Sequence, residues 1–407
     1  MTKRKIFTPK SVPLQVNSMT ESALNPHPKS SQIGDVSYHT VYRNPNTYCS
    51  FPSLVKIKND HIAVVFREAD EFSVNAALSG NPTHHDLHSR CCIIHSSDGG
   101  NTYDTHSKMT VLDTCYGLND PGVSILSNGE LLLRTTLVDV RPSSEYEKLD
   151  HPILAHRPDL CTVSAVVGQS LQRSKDFGKT WSPYQLINLE KDTSIVSREP
   201  VIELEDNTLL LSCYKSKPTQ VEECYIIRSW NKGKDWGNLS LVARDETGRN
   251  SMYQGTNYNE TAIHNLGSGK LIAMIRSDDS YHTDGQYMAI GGIGEFRVAF
   301  SDNAGFSWTK PRPTGIFGQP ACITQLKDGR LLCTYGYRKK PYGIRACYSH
   351  DNGITWNTDQ EVIIKNNGSI WDMGYPASIQ RDDGYIVTVY YWPDDSGIRY
   401  IEAAIWS

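Results

Sequence analysis

The segment SHDNGITW, residues 349–356, is one of five octapeptides that decide the fold. Each octapeptide has serine first, Asp or Asn third, glycine fifth and an aromatic residue eighth, and we call them boxes. The other four are SSDGGNTY (96–103), SKDFGKTW (174–181), SWNKGKDW (229–236) and SDNAGFSW (301–308). Ser, Asx and Gly favour turns, and each box follows a short apolar run. We therefore predict that each box joins the third and fourth strands of a sheet, with its aromatic side chain packed between sheets.

A second repeat lies upstream of each box and occurs six times. It begins with a short polar or proline-marked head, runs through an alternating strand to a turn, and ends in an apolar strand. Its copies are CSFPSLVKIKNDHIAVVF (49–66), LNDPGVSILSNGELLL (118–133), SREPVIELEDNTLLL (197–211), NETAIHNLGSGKLIAMI (259–275), GQPACITQLKDGRLLCTY (318–335) and GYPASIQRDDGYIVTVYY (374–391). Sheets of this kind bury their faces only against neighbouring sheets. The repeats predict an all-β, six-bladed β-propeller of four-stranded antiparallel blades.

The last unit lacks a box, which indicates that its fourth strand comes from elsewhere in the chain. We expect VSYHTVYR, residues 36–43, to supply that outer strand and close the ring. The propeller would then span residues 34–407, and residues 1–33, rich in Pro, Ser and Asn, would form a tail or covering segment.

Charge and composition limit the functional classes. The 407 residues carry 41 basic and 45 acidic side chains, and the charge is spread along the chain, which argues against a nucleic-acid-binding surface. No apolar run approaches the ~20 residues of a membrane-spanning helix. The start shows no secretory signal, so we expect a cytoplasmic protein, although the basic MTKRK is compatible with peripheral contact with an anionic membrane. The ten cysteines show no CxxC pair and are interpreted as reduced thiols.

The first strand of each propeller blade lines the central channel, so one position of each head should converge there. Polar residues at these positions have a simple explanation, because a channel is wet. The second strands, however, add arginines near the same face, and several guanidinium groups aimed at one funnel favour an anionic ligand. The head residues are Phe51, Asp120, Glu199, Glu260, Gln319 and Tyr375, and the arginines are Arg67, Arg276 and Arg338, with Arg345 close by.

The boxes resemble the Asp-boxes of the sialidase (neuraminidase) superfamily, and the six-unit pattern is similar to its propeller over residues 36–407. The segment NETAIHNLGSGKLIAMIRSD resembles the one that carries a catalytic glutamate and a carboxylate-binding arginine in that family, here Glu260 and Arg276. GYPASIQRDDG resembles the segment of the catalytic tyrosine, here Tyr375. The family's acid/base aspartate lies before the first box, which implies Asp86 in THHDLHSR. Its fifth-blade arginine corresponds to Arg345 or Arg338, with Arg345 preferred.

One departure concerns the arginine that opens the family's first blade in an R-I-P triplet. This chain has Ser50, Phe51 and Pro52 there. Arg67, one strand later, and Arg198, at the third head, are the candidates to replace that arginine.

The resemblance implies an exo-acting, retaining glycoside hydrolase that releases a terminal 2-ulosonic acid, with sialic acid as the default and Kdo as a rival. A carboxylate nucleophile would be repelled by the carboxylate on the substrate's anomeric carbon, whereas a neutral phenol is not. A phenol needs a base to take its proton, which is the role expected of Glu260. Further substrate contacts are expected from Arg198, Glu199, Asp120, Gln319 and His85, and no cofactor is expected.

Three alternatives stay open at this stage. His84, His85 and His88 lie close enough in sequence to bind a metal together with Asp86, although loop histidines are more often substrate contacts or solvated, and no metal is predicted. A propeller polysaccharide lyase, or a glycosidase for another sugar, would share the fold and the boxes. A non-catalytic carbohydrate-binding propeller would share the fold too. The oligomeric state is left open.

Overall fold

Six antiparallel sheets are arranged as the blades of a β-propeller in this computed structural model, which confirms the predicted fold. The structure describes residues 31–32, 35–187, 189, 195–216, 220–248, 255–279 and 294–407. The predicted tail, residues 1–33, lies outside these ranges except for residues 31–32. No helix in the described part of the chain is long and apolar enough to cross a membrane.

Strands are numbered in chain order. The first two lie at the outer edges of the last two blades: β1 (Ser31–Gln32) and β2 (Val36–Tyr42). Blade 1 contains β3 (Tyr48–Lys58), β4 (His61–Ala69), β5 (Arg90–Ser96) and β6 (Asp104–Leu112). Blade 2 contains β7 (Gly117–Ile125), β8 (Leu131–Pro142), β9 (Ile153–Arg157), β10 (Thr162–Ser174) and β11 (Gln185–Leu186).

Blade 3 contains β12 (Ile195–Val196), β13 (Ile202–Glu203), β14 (Leu209–Lys215), β15 (Glu223–Ser229) and β16 (Gly237–Ala243). Blade 4 contains β17 (Thr256–Gly267), β18 (Lys270–Asp279), β19 (Glu295–Ser301) and β20 (Arg312–Phe317). Blade 5 contains β21 (Ala321–Gln325), β22 (Leu331–Tyr337), β23 (Tyr342–Ser349) and β24 (Val362–Gly368). Blade 6 contains β25 (Gly374–Gln380), β26 (Ile386–Pro393) and β27 (Arg399–Trp406).

Helical segments lie in the connections between strands. The α-helix α1 (Glu71–Leu78) joins β4 to β5. Short 3-10 helices are Ser143–Lys148, Pro158–Leu160 and Thr358–Gln360.

Ring closure follows the prediction for residues 36–43. Strand β2 pairs with β27 in antiparallel register, with Val36 opposite Trp406, and so supplies the fourth strand of blade 6. Strand β1 runs parallel to β24 and extends the outer edge of blade 5, so residues 31–32 belong to a blade rather than to the predicted tail.

Each box forms the predicted turn between the third and fourth strands. In the fifth box, the Ser349 hydroxyl accepts a hydrogen bond from the Gly353 amide (2.8 Å), and Asp351 accepts one from the Thr355 amide (2.8 Å). The same serine-to-glycine bond recurs in the other four boxes. The fourth position also has positive φ in every box, although four of the five residues there are not glycine. Both the fourth and the fifth residue of each box are therefore in the left-handed region of backbone conformation.

The hydrophobic core of the described chain contains six clusters that are each formed by two adjacent blades, and a seventh, smaller cluster packs α1 against blade 1 and Ile398. The aromatic residue of each box packs in the cluster that its blade shares with the preceding blade. These residues are Tyr103, Trp181, Trp236, Trp308 and Trp356. A Cβ at Gly353 would lie 2.1 Å from Cδ1 of Ile272 in blade 4, so this box glycine also permits the close approach of two blades. The boxes thus connect the blades as well as turning the chain.

Candidate functional site

Four of the six heads share a backbone irregularity. The pairing of the first and second strands shifts register at Phe51, Asp120, Glu260 and Tyr375, which places a β-bulge at the same point of four blades. Phe51, Asp120 and Tyr375 have φ of 53°, 48° and 51°, values that non-glycine residues seldom adopt. A bulge bends its strand and re-aims a side chain, and bulges are frequent beside active sites. The four head residues therefore occupy specially built backbone positions.

Three of the predicted site residues form one hydrogen-bonded group. The Tyr375 hydroxyl donates to Oε1 of Glu260 at 2.5 Å, and Nη1 of Arg276 donates to Oε2 of the same carboxylate at 2.5 Å. Tyr375 belongs to blade 6, whereas Glu260 and Arg276 belong to β17 and β18 of blade 4. The propeller thus joins a phenol, a carboxylate and a guanidinium group that are far apart in the sequence.

Burial and charge set opposite pKa shifts on the two acidic groups of this trio. Burial, followed by the negative charge of Glu260, raises the pKa of Tyr375 well above its usual range, so the phenol is neutral at physiological pH. Burial alone would raise the pKa of Glu260. The charge of Arg276 and the hydrogen bond from Tyr375 outweigh it and lower that pKa, which keeps the carboxylate ionised. A neutral hydroxyl thus points at a charged acceptor.

Asp278 and the residues bonded to it hold Arg276 in position. Asp278 lies two residues after Arg276 on the same face of β18, and its carboxylate accepts a hydrogen bond from Nε of Arg276 at 3.1 Å. The side-chain amides of Gln319 and Asn259 also donate to Asp278. The sequence analysis missed Asp278, although alternation along a strand places residues two apart on one face. Gln319, predicted as a substrate contact, helps to orient Asp278.

Two further arginines flank the Tyr375 ring. Cζ of Arg198 and Cζ of Arg338 each lie 5.4 Å from the ring centroid. Arg198 pairs with the Glu199 carboxylate and donates to the Pro376 carbonyl at 2.8 Å. Arg338 donates to a backbone carbonyl at 3.2 Å, and its Nε has no hydrogen-bond partner among the described residues. Of the two candidates to replace the missing first-blade arginine, Arg198 is therefore the one in contact with Tyr375.

Arg67 and Arg345 do not flank the Tyr375 ring, although Arg67 lies near the charges of Asp86 and Asp120. Arg67 is fully buried, and its Nε donates to the Leu118 carbonyl at 3.0 Å. Arg345 pairs with Glu361 beneath the Tyr337 ring, 3.3 Å from its centroid. Arg338 lies beside the Tyr375 ring, whereas Arg345 lies on β23 and pairs with an acid of its own blade. The choice between them as the fifth-blade arginine stays a prediction. The sequence did not reveal Glu361 as the partner of Arg345.

Asp120 is a buried carboxylate in the channel, and its Oδ1 has no hydrogen-bond partner in the described part of the chain. Burial, followed by the charge of Glu260, raises the pKa of Asp120 to about 7. Asp120, Glu199 and Arg198 line a cavity of about 190 Å³ on the channel axis, together with Phe51 and His264. The funnel therefore holds a second carboxyl group that is partly protonated near neutral pH.

The loop after α1 holds the predicted acid/base residue in an unexpected setting. Asp86 is 2% exposed, and its two oxygens accept hydrogen bonds from the backbone amides of Ser73 (3.1 Å) and His88 (2.8 Å). Its carboxylate thus fixes the start of α1 and its own loop, and the acid/base role stays a prediction. His85 bonds to Ser164, and burial followed by the neighbouring His84 lowers the pKa of His85 to about 3.

The three loop histidines do not converge. His84 bonds to Asp372 at 3.0 Å, His85 bonds to Ser164 at 2.7 Å, and the His88 side chain is exposed. No group of three or more metal-ligating side chains lies within the described ranges.

Asp372 is a second residue that the sequence analysis missed. This buried carboxylate accepts hydrogen bonds from Tyr48 (2.9 Å), Tyr391 (3.0 Å), His84 (3.0 Å) and Arg399 (3.1 Å). These contacts lower the pKa of Asp372 despite its burial. Its only sequence signal was its position three residues before Tyr375.

Comparison with solved structures agrees with this architecture. A protein of unknown function from Dyadobacter fermentans is 24% identical, with a TM-score of 0.76, and the match covers 92% of this chain and 99% of that chain. The Hadza microbial sialidase Hz136 is 16% identical, with a TM-score of 0.62, and the match covers 88% of this chain and 66% of that chain. The α-L-arabinanase of Penicillium chrysogenum, complexed with arabinobiose, is 13% identical, with a TM-score of 0.57. The match covers 91% of this chain and 97% of that chain. These likenesses show a fold that glycoside hydrolases also use.

Comparison with sequences gives one match. No curated protein matches the chain. The family model described as the BNR repeat-like domain matches residues 153–388, more than half of the chain. Together with the sialidase-like propeller, this match confirms the resemblance that the boxes indicated. The chain belongs to the BNR repeat-like domain family.

Proposed function

We propose that this protein is an exo-acting, retaining glycoside hydrolase that releases a terminal 2-ulosonic acid, such as sialic acid or Kdo, with Tyr375 as the nucleophile. The observation that carries the proposal is the 2.5 Å hydrogen bond from the Tyr375 hydroxyl to Glu260. A nucleophile next to its base, with the base oriented by a third group, is typical of covalent catalysis. Arg276 is that third group here.

The choice of a phenol fits an anionic substrate. The neutral hydroxyl of Tyr375 meets no repulsion from a carboxylate on the anomeric carbon, whereas an ionised Asp or Glu would. As the oxygen of Tyr375 attacks that carbon, its proton passes to Glu260, and the glycosidic bond breaks on the opposite side. A second displacement by water returns the original configuration, so we expect retention.

Arginines around the phenol would bind the substrate carboxylate. Arg276, Arg198 and Arg338 each lie next to Tyr375 or its base, and Nη2 of Arg338 makes only long contacts of 3.2 and 3.5 Å. A guanidinium group with weak internal bonds can exchange them for a two-point contact with a carboxylate. We therefore assign carboxylate binding first to Arg338 and Arg276. Arg198 would contact the carboxylate from a third direction.

The proposal is tested with Tyr375→Phe, which keeps the ring and removes the nucleophilic oxygen. We expect kcat on aryl α-ketosides of sialic acid or Kdo to fall at least about a thousandfold. Tyr385→Phe is the matched control, because Tyr385 is exposed on a turn of the same blade. Retention of more than about a tenth of wild-type turnover in Tyr375→Phe would exclude this tyrosine as the nucleophile.

A glycosidase for a neutral sugar is the second candidate, and one observation favours it. Arg276 and Arg198 each pair with an acid of the site, so much of the positive charge is neutralised internally. Asp120 and Glu260 also share the funnel, and ordinary glycosidases use two carboxyl groups. Neutral-sugar aryl glycosides tested beside the α-ketosides separate the candidates. Hydrolysis of neutral glycosides alone would reject the ulosonic acid proposal.

A further inference from the structure

The proposed reaction needs a group that protonates the leaving oxygen, and Asp86 is poorly placed for this. Both of its oxygens accept backbone hydrogen bonds, at 2.8 and 3.1 Å, and it is 2% exposed. A proton donor must reach the glycosidic oxygen of a bound substrate. Asp86 would have to release α1 or its own loop to do so.

His84, two residues earlier, lies beside the pocket instead. Its ring meets the Phe51 ring edge-on at a centroid distance of 4.9 Å, and Phe51 lies 4.6 Å from the Tyr375 ring. The His84 side chain is 26% exposed. It is therefore one aromatic ring away from the nucleophile and open to a ligand.

The imidazole is held by a carboxylate that is itself fixed. Nε2 of His84 and Oδ1 of Asp372 are 3.0 Å apart, and Tyr48, Tyr391 and Arg399 hold Asp372 from other sides. Nδ1 of His84 has no hydrogen-bond partner among the described residues. A carboxylate on one ring nitrogen fixes the ring and stabilises the imidazolium, which leaves the other nitrogen to exchange protons.

The surroundings of His84 contain few other charges. Tyr48 stacks at a tilt with a centroid distance of 6.4 Å, and His85 is the next residue in the chain. Arg399 lies behind Asp372 and bonds to its far oxygen. Among the described residues, Asp372 is thus the one carboxylate bonded to His84, and it orients the ring.

We infer that His84, oriented by Asp372, is the acid/base group of this site; the inference rests on the proposed function. In the first step, the Nδ1 proton of the imidazolium passes to the glycosidic oxygen, which leaves with the electron pair of the broken C–O bond. Tyr375 bonds to the anomeric carbon and its proton passes to Glu260. In the second step, neutral Nδ1 takes a proton from water, the water oxygen bonds to the carbon, and the tyrosyl oxygen recovers its proton from Glu260.

The experiment compares kcat/KM of wild type, His84→Gln and His84→Ala on α-ketosides of sialic acid and Kdo with leaving groups of different acidity. A 4-nitrophenyl group leaves without protonation, whereas a methyl group does not. We expect kcat/KM to fall less than about tenfold for the aryl ketosides and about a hundredfold or more for the methyl ketosides. Thermal unfolding of each variant checks that it is folded.

His88→Gln is the matched control, because His88 lies in the same loop with an exposed side chain. It should behave as wild type. A uniform loss on both leaving groups in the His84 variants, or the leaving-group pattern in Asp86→Asn with unchanged His84 variants, would overturn the role of His84 while the proposed function stands. Wild type inactive on every α-ketoside would overturn both.

Discussion

At the scale of one residue, Asp120 is a buried carboxyl group that lowers the stability of the folded protein as the pH rises. Its carboxyl group is buried, and Oδ1 lacks a partner within the described chain. Its folded pKa of about 7 exceeds its ordinary value of 3.8. Between these values the folded protein binds more protons than the unfolded chain, so Asp120 makes the protein less stable as pH rises.

Asp120→Asn should remove this pH dependence, because an amide does not ionise. We expect the difference in the free energy of unfolding, variant minus wild type, to increase by roughly 2 to 4 kcal/mol from pH 5 to pH 8. The free energy of unfolding from denaturant titrations at both pH values measures this gain. Asp395→Asn, which removes an exposed acid, is the control for the loss of one negative charge. An equal difference at both pH values would mean that Asp120 is ionised throughout.

At the scale of the element, the boxes separate what the motif requires from what it tolerates. Asp351 accepts a hydrogen bond from the Thr355 amide (2.8 Å) and one from its hydroxyl (2.6 Å). In the third box, Asn231 accepts the equivalent amide bond at 2.9 Å and donates from its own amide to Asp235. An acceptor at this position is therefore needed, and its charge is not.

Asp351→Ala should lower the free energy of unfolding by about 1–2 kcal/mol, because three hydrogen bonds of the turn, from the Ser349 hydroxyl and from the amide and hydroxyl of Thr355, are lost. Asp351→Asn, which copies the third and fourth boxes, should cost less than about half of that. The midpoint of chemical denaturation measures both changes. Equal destabilisation by alanine and asparagine would show that charge, rather than hydrogen bonding, holds the turn.

At the scale of the whole molecule, the ring depends on β2 as its closing strand. Without it, the outer edge of β27 would present unpaired backbone groups, and Val41 would leave the cluster between blades 6 and 1. An open sheet edge is a site for aggregation.

Deletion of residues 1–42 should therefore lower the thermal midpoint by several degrees and give soluble aggregates. Thermal scans and size-exclusion chromatography measure these effects. Deletion of residues 1–34 is the matched control, because it keeps β2. If both deletions behave alike, β2 does not close the ring.

The repeats made the architecture predictable, because serine, glycine and the aromatic of each box act within eight residues or against the next blade. The turn conformation at the fourth box position was less visible, since Phe177, Lys232, Ala304 and Asn352 have positive φ without being glycine. Their backbone is set by the serine and glycine around them.

The grouping of the site residues was predictable only where it follows from position in the repeat. Glu260, Arg276 and Tyr375 meet because the propeller brings equivalent positions together. The pairing of Arg345 with Glu361, and of His84 with Asp372, depends on side chains from unrelated parts of the chain. Such contacts leave no periodic signal, so only coordinates reveal them.

The bulges at the heads bear on which side chains these positions can accept. Phe51, Asp120 and Tyr375 have nearly the same φ, although one is apolar, one acidic and one a phenol. The conformation therefore tolerates very different side chains at these equivalent positions. Side chains of different chemistry can therefore occupy a head without a different main chain, provided that each fits its own neighbours, as the Phe51 ring does against Tyr375 and His84.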